Sequence, residues 1–248
     1  MADKKESRTN WKPTDNRFVA FLDILGFKDL VMRKSHEDIY QTLNQLSKSK
    51  KLIEKATQLD SISKNLSDVE VYVVSFSDSI VIFSKNDSLE NFNYFLLATR
   101  WFFTGAFSKQ IPIKGAMAHG EISLNKKEQI YFGQPIIDAY LMEEDVNYMG
   151  VVAHNSIDEY VSNIKDKKTL NRIEGILFEA KTPLKCGNLT HTNLNWFKII
   201  KETDTKNVTL EDIKTKINLF KKSTSGTARK YIDNTMNVLE LVKEGLTK

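Results

Sequence analysis

The chain has 248 residues, of which 41% are hydrophobic and 27% charged, a composition typical of a soluble globular protein. Its net charge of +4 suits an anionic small ligand, and no dense basic stripe recurs along one segment, so we expect no nucleic-acid partner. A single cysteine, Cys186, excludes an internal disulfide and indicates a reducing compartment.

The N-terminal segment is polar and charged and contains no apolar run that would form a signal peptide. We therefore expect a flexible tail over residues 1–16 and a cytoplasmic protein. The longest apolar stretch, residues 92–107, is broken by Thr99 and Arg100. It is shorter than the roughly 20 residues of a spanning helix, so we expect no membrane partner.

The elements follow in chain order. Residues 17–24 (RFVAFLDI) are almost all apolar, which predicts a buried strand that ends at Gly26. Residues 27–58 lack glycine and proline, which predicts a helix. The next predicted elements are a hairpin over 71–83 turning at Ser77 and Asp78, a helix over 88–107 capped by Ser88, a strand over 111–124, a short strand over 128–133, a helix starting at Pro135 and ending at 145, and a strand over 150–156 that leads into a helix.

The order β-α-β-β-α-β up to residue 132 predicts an α+β fold with a ferredoxin-like split βαβ sheet and helices packed on it. The additional C-terminal elements are a hairpin made of 172–187 and 193–200 and two helices over 209–220 and 223–246, with Thr209 or Ser223 as caps. No linker composition interrupts the chain. We therefore expect one domain over 17–248, with a catalytic core over 17–200 and C-terminal helices over 201–248.

Two aspartates, Asp23 and Asp78, each interrupt an apolar strand, where an unpaired carboxylate is costly. The first and third strands of a split βαβ sheet are neighbours, so the two carboxylates can be adjacent and raise each other's pKa. A shared Mg²⁺ or Mn²⁺, which binds carboxylates together with substrate phosphates, resolves this. The alternative is that backbone N–H groups satisfy each carboxylate separately. The turn after Asp23 also presents backbone N–H groups suited to a phosphate.

Five segments in the same order resemble class III nucleotide cyclases. They are Phe21-Leu-Asp-Ile-Leu-Gly-Phe27, Phe76-Ser-Asp78, Lys114-Gly-Ala-Met-Ala-His-Gly120, the helix motif of residues 131–144, and residues 182–187 followed by Asn195-Trp-Phe197. Each motif alone is weak, but five in order are fairly specific. The resemblance extends from residue 17 to about residue 200.

The resemblance implies a function for each matching position. Asp23 and Asp78 would bind two divalent cations, Mn²⁺ or Mg²⁺, together with the carbonyl of Ile24. The implied phosphate-binding positions are Gly26, Phe27, Lys114 and Lys185. The implied reaction is attack of the ribose 3′-hydroxyl on the α-phosphate of a nucleoside triphosphate, with loss of pyrophosphate.

The sequence departs from purine cyclases at the base-reading positions. Val74 and Ile130 stand where those enzymes carry polar residues that bind the base. Tyr72 lies on the same strand face as Val74, so its bulk favours a smaller base. Packing of Tyr72 at the sheet rim is the alternative.

A second departure concerns the transition state. Class III cyclases carry an asparagine that orients the ribose and an arginine that stabilises the phosphate. Ile137 and Leu141 stand at these two positions. Either another cation, Arg100 or Lys185, substitutes, or the chain is a poor or inactive cyclase. A surface position for Arg100 is the alternative to a catalytic one.

Together with these departures, the stretch FLDILGF and the helix pattern of Gly133, Ala139, Tyr140 and Glu143 make the chain resemble the pyrimidine cyclases of bacterial Pycsar antiphage systems. That resemblance implies conversion of UTP or CTP to a 3′,5′-cyclic monophosphate, a messenger that activates a separate effector. It also implies a homodimer with its sites at the interface. The alternatives are an inactive nucleotide-binding module and another two-metal nucleotidyltransferase.

Overall fold

A computed structural model describes residues 11–55, 68–197, 209–222, 224 and 226–246. Its strands are β1 (Thr14–Ile24), β2 (Val71–Phe76), β3 (Ser79–Ser84), β4 (Ile113–Asn125), β5 (Ile130–Phe132), β6 (Val151–Ala153), β7 (Leu177–Leu184) and β8 (Gly187–Leu194). Its helices are α1 (Phe27–Arg33), α2 (His36–Lys55), α3 (Leu89–Ser108), α4 (Gln134–Asp145), α5 (Asn155–Ser162), α6 (Lys167–Glu174), α7 (Leu210–Leu219) and α8 (Arg229–Leu246). Among these helices, none has the length and apolar character needed to cross a membrane.

The strands form one sheet in the order β2-β3-β1-β4-β6-β8-β7, and β5 pairs with β4 outside this path. β1 lies antiparallel between β3 and β4, whereas β4 and β6 are parallel. The first four strands therefore have the order of a split βαβ unit, which confirms the predicted fold class. The C-terminal hairpin extends the sheet on the β6 side.

Each face of the sheet has its own apolar core. Alternate residues of β1, including Phe18, Ala20 and Leu22, pack with α2 and α3 in the larger cluster. The residues between them point to the face that α4 covers. There they join a smaller cluster made of Trp11, Val19, Phe83, Ala118, Ile122, Leu124 and Ala139. Asp23 follows the second set and so lies on the α4 face.

Several boundaries differ from the predicted ones. The helix predicted over 27–58 is two helices, because Ser35 caps a new helix by accepting a hydrogen bond from the N–H of Asp38. Residues 56–58 lie outside the described residues. β1 begins at Thr14, and Trp11 is buried, so the predicted tail to residue 16 overlaps ordered structure.

The C-terminal hairpin also starts and ends elsewhere than predicted. It consists of β7 and β8, and residues 167–174 before it form α6, which Asp166 caps. Thr209 caps α7 in a capping box with Asp212, as predicted. Ser223 and residues 198–208 lie outside the described residues.

Candidate active site

Asp23 lies near the C-terminal end of β1, in the middle of the sheet. It is in register with Ser79 of β3 on one side and with Lys114 of β4 on the other. Residues in register on neighbouring strands point to the same face. The side chains of Asp23 and Lys114 therefore share the face that α4 covers.

Asp78 occupies the turn that joins β2 and β3. Its backbone carbonyl accepts a hydrogen bond of 3.2 Å from the N–H of Ile24, the residue after Asp23. Ser77 adopts a left-handed φ of 55°, which makes the tight reversal possible. The hairpin thus brings Asp78 to the strand end that carries Asp23.

The surroundings of Asp23 are rich in negative charge. Burial raises the pKa of its carboxyl from 3.8 to about 7, with further contributions from Glu143 and Asp78, while Lys114 acts in the opposite direction. A carboxyl group that holds its proton this firmly lacks sufficient positive charge nearby. A divalent cation between Asp23 and Asp78 would provide that charge, so the residues present fit a metal.

The number of carboxylates limits the kind of metal site that Asp23 and Asp78 could form. In the described part of the chain, no group of three or more His, Cys, Asp or Glu side chains is placed to bind a metal ion. Asp23 and Asp78 are therefore an open pair, and a cation there would take its other ligands from water and phosphates. This is the coordination that Mg²⁺ prefers, and unlike a structural zinc site it leaves room for a substrate.

Asp23→Asn is expected to stabilise the protein above neutral pH. Asp23 has a higher pKa in the folded chain than in the unfolded one, so the folded state binds more protons between pH 4 and 7. Its stability therefore falls as the pH rises through this window, and the asparagine variant escapes that loss. We expect it to be more stable by about 1–2 kcal/mol at pH 8 and equal at pH 4, since Asp23 is partly solvated.

Urea unfolding in metal-free buffer at pH 4, 6 and 8 measures this difference. Asp29→Asn, which changes an exposed carboxylate on α1, is the matched control and should show no pH-dependent gain. Equal stabilities of wild type and Asp23→Asn at pH 8 would contradict the described charge environment.

Lys114 is buried and bound to α4. Its ammonium lies 2.9 Å from Glu143 Oε1 and donates a 2.7 Å hydrogen bond to the backbone carbonyl of Glu143. Both side chains are almost fully buried. Lys114 therefore joins β4 to the C-terminal end of α4. To bind a phosphate as predicted, its ammonium would have to contact the phosphate and Glu143 at the same time.

The other predicted phosphate positions are more open. Gly26 has a left-handed φ of 73° and precedes α1, whose first residue is Phe27. Lys185 lies in the turn between β7 and β8, with its side chain 54% exposed and its ammonium 3.6 Å from Glu144 Oε2. The backbone N–H of Lys185 donates a 2.8 Å hydrogen bond to the carbonyl of Asp145, so the turn packs against the C-terminal end of α4 while the lysine side chain stays open to solvent.

Of the predicted base-pocket residues, Tyr72 and Val74 lie on the α4 face, whereas Ile130 alternates with Tyr131 on β5 and points to the other face. Tyr72 donates to or accepts from the hydroxyl of Tyr131 at 3.0 Å, and the ring of Trp11 packs edge-on against it at 6.2 Å. Val74 is half-buried beside Tyr72, whereas Ile130 at the start of β5 is 51% exposed. Tyr131 follows Ile130 directly, so the hydroxyl pair brings β2 and β5 together.

Arg100 does not lie near the aspartates. It is 3% exposed within α3, whose neighbouring residues pack in the larger cluster on the opposite face of the sheet from Asp23. It is thus neither the surface residue considered as the alternative nor close to the site. Ile137 and Leu141, by contrast, are 51% and 57% exposed on the outer side of α4.

Sequence reasoning assigned no role to Glu143 or Tyr131. Glu143 contributes to the charge around Asp23 and pairs with Lys114. Lys114 was the feature of the sequence that could have indicated Glu143, because a lysine within an apolar strand requires a buried carboxylate partner. Tyr131 gave no comparable signal, since a tyrosine in a short strand is common.

No protein-family model matches the sequence, and no curated protein matches it. Solved structures do. The catalytic core of a rhodopsin-guanylyl cyclase with converted specificity, solved with ATPαS, is 15% identical, with a TM-score of 0.53 over 75% of this chain and 98% of that one. A bacterial light-regulated adenylyl cyclase is 9% identical, with a TM-score of 0.50 over 74% of this chain and 52% of that chain.

A class III adenylyl cyclase-like ATP-binding protein from Pseudomonas aeruginosa is 10% identical, with a TM-score of 0.47 over 94% of this chain and 44% of that one. This chain spans about half the length of that protein and of the light-regulated enzyme. At such identities a structural likeness establishes the fold and leaves activity open. The chain has the fold of class III nucleotide cyclase catalytic domains.

Proposed function

We propose that this chain is a pyrimidine nucleotide cyclase, which converts UTP or CTP to the 3′,5′-cyclic monophosphate and pyrophosphate. The observation that carries the proposal is the position of Asp23 and Asp78, side by side at one strand end of a cyclase fold. A structural pair of carboxylates would be hydrogen-bonded or matched by cations. Asp23 instead has a raised pKa and acidic neighbours.

In this proposal, Asp23 and Asp78 hold two divalent cations, with the carbonyl of Ile24 completing the protein ligands. When bound, such cations lower the pKa of the attacking 3′-hydroxyl and stabilise charge on the phosphates. The backbone of Gly26 and Phe27, in the turn that follows Asp23, would bind the phosphates. Lys185 contributes positive charge toward the departing pyrophosphate.

The choice of a pyrimidine rests on what lines the base pocket. Val74 and Ile130 present no hydrogen-bonding groups, so a purine pocket that reads its base by polar contacts is missing. Tyr72 and Tyr131, joined by a hydrogen bond between their hydroxyls, occupy space on the face of the sheet that carries Val74. Both features favour a base with one ring, and neither separates uracil from cytosine.

A homodimer with sites at its interface follows from the same assignment. One chain would provide the aspartates, and the other the base pocket and Lys185. The surface around α4 supports this, because large apolar side chains are exposed there. They are Phe76 (83%), Ile137 (51%), Tyr140 (44%) and Leu141 (57%).

One observation favours a second candidate, an inactive cyclase-like module that binds a nucleotide. Ile137 and Leu141 place apolar side chains where a cyclase needs an amide and a guanidinium. Arg100, one proposed substitute, is buried on the other face of the sheet. Lys185 is then the substitute that remains of the two. Another two-metal nucleotidyltransferase, with linear or dinucleotide products, is the third candidate.

The biological role that we propose is synthesis of a second messenger in antiphage defence. The cyclic nucleotide would act in the cytoplasm on a separate effector protein. This part rests on the resemblance of the motifs around Asp23 and of the Gly133–Glu143 helix to the Pycsar cyclases.

The deciding experiment is incubation of the protein with each of the four ribonucleoside triphosphates and Mn²⁺, followed by mass spectrometry of the products. We expect a cyclic monophosphate from UTP or CTP at a rate at least about tenfold above that from ATP or GTP. Binding of a triphosphate without release of pyrophosphate would establish the inactive module instead. Linear or dinucleotide products would indicate the nucleotidyltransferase.

A further inference from the structure

A cavity lies on the face of the sheet opposite to Asp23, between α2, α3 and the hairpin of β2 and β3. Its volume is about 200 Å³. Val73, Ile80 and Phe102 form its floor, and each is at most 3% exposed. Because these residues belong to the larger cluster, the cavity is separate from the proposed substrate site, which lies on the α4 face.

The rim of this cavity is polar and carries positive charge. It consists of Lys50 and the hydroxyl groups of Ser47, Ser75 and Ser77. Within the described residues, Lys50 forms no ion pair and none of the three hydroxyls has a hydrogen-bond partner. No acidic residue lines the cavity, and the carboxylate of Glu54, one turn after Lys50, accepts a hydrogen bond from the N–H of Val73.

We propose that this cavity binds a small carboxylate with an apolar body. An apolar floor with three hydroxyls and an unmatched ammonium on one rim suits a ligand that has one charged end. The volume exceeds the roughly 150 Å³ that suffices for benzene, so a single ring with a short carboxylate chain fits. The carboxylate would lie between Lys50 and the serine hydroxyls, where charge-assisted hydrogen bonds form.

Occupancy of this cavity would act on the position of Asp78. Ser75 and Ser77 belong to the hairpin that carries Asp78, and the carbonyl of Asp78 is bonded to the N–H of Ile24 beside Asp23. A ligand that fixes Ser75 and Ser77 therefore restrains the turn on the other side of the sheet. This coupling makes the cavity a regulatory site, and only this step rests on the proposed cyclase function.

The test uses 3-phenylpropionate as the probe, titrated into the full-length protein by calorimetry and by NMR, without nucleotide. Two compounds of similar shape are the controls. 3-Phenylpropylamine carries a positive charge, and propylbenzene carries no charge. We expect a dissociation constant on the order of 1 mM for the carboxylate and weaker binding of both control compounds. Lys50→Gln should weaken carboxylate binding about fivefold, whereas Lys51→Gln, on the same helix outside the cavity, should not change it.

Ser47→Phe, which fills the mouth of the cavity, should abolish binding of the carboxylate. Hydrogen exchange of residues 75–80 should slow when the probe is present, and this readout does not depend on catalysis. No saturable binding to wild type, or equal binding of the amine, would overturn the site. Unchanged exchange in the hairpin would overturn its coupling to Asp78.

These outcomes are distinct from those of the nucleotide assay. If the carboxylate binds and Lys50→Gln weakens it, the site stands even when no triphosphate yields a product, and the cyclase proposal alone fails. If a cyclic product forms but the probe does not bind, the cyclase proposal stands and the regulatory site fails.

Discussion

Asp78→Asn is expected to lower the rate of cyclic product formation by at least about a thousandfold. Asparagine has the shape of aspartate but no charge, so the variant keeps the hairpin and loses a cation ligand. The loss corresponds to about 4 kcal/mol of transition-state stabilisation, which is in the range that a catalytic metal provides. Product formation with Mn²⁺ and the preferred triphosphate, followed by mass spectrometry, measures it.

Asp29→Asn is the matched control for this variant, since Asp29 is an exposed carboxylate on α1 close in sequence to Asp23. It should keep the wild-type rate. Retention of more than about a tenth of the activity by Asp78→Asn would show that the carboxylate is not a ligand of a catalytic metal.

The same variant tests whether sites are shared between two chains. Asp78→Asn and Lys185→Ala should each be inactive alone. If one chain supplies the aspartates and the other supplies Lys185, a mixed dimer contains one intact site, and mixing should restore activity. No recovery after mixing, with dimers verified by sedimentation, would contradict the shared site.

Lys114→Met is expected to destabilise the fold by about 3 kcal/mol. The substitution leaves the buried Glu143 carboxylate and two backbone carbonyls of α4 without the ammonium that they contact. Removing one partner of a buried pair typically costs this much, because the other is left uncompensated. Urea unfolding at pH 7.5 in metal-free buffer measures the change.

The double variant Lys114→Met/Glu143→Leu separates the pair from its packing. A buried pair replaced by apolar residues of similar size often costs little, so we expect most of the lost stability to return. Removal of Glu143 also takes away the largest acidic contribution to the raised pKa of Asp23. Equal losses in the single and double variants would show that packing of Lys114, rather than its charge, stabilises α4.

The central part of the fold was predictable because burial leaves a clear pattern. The middle parts of β1, β3 and β4 are covered on both faces, so their sequences are largely apolar there and can be recognised alone. The short polar residues at Ser77 and Asp78 likewise predicted a turn. The pairing of β1 with β3, which brings the aspartates together, then followed from the order of elements.

The errors arose where burial is weak. β8 (GNLTHTNL) is largely polar, and its exposed first half is held mainly by the backbone ladder with β7. The more apolar residues 193–200 instead match the sequence pattern of a strand. The break in the long helix was visible in the sequence, since Ser35 precedes Asp38 at the spacing of a capping motif.

In the candidate site, the sequence indicated Asp23 and Asp78 but gave no role to Glu143. A carboxylate in an apolar strand is conspicuous, whereas the surroundings of Lys114 and Arg100 depend on how helices pack. Lys114 gave the right signal of a missing partner, but the sequence offered several acidic residues for it. Arg100 lies away from Asp23 because α3 packs on the other face of the sheet, which no local pattern in the sequence specifies.

The attachment of α4 through a few buried residues has a consequence for local opening of the fold. Of its twelve residues, only Pro135, Ala139 and Glu143 are buried, and Glu143 is paired with Lys114. Opening of α4 would break that pair and expose the smaller apolar cluster, but it would leave the larger cluster intact, so it needs less free energy than global unfolding. The backbone amides of α4 would therefore exchange before those of the central strands in an isolated chain. A second chain or a nucleotide against its outer side would slow that exchange, so α4 reports assembly of the site before any turnover occurs.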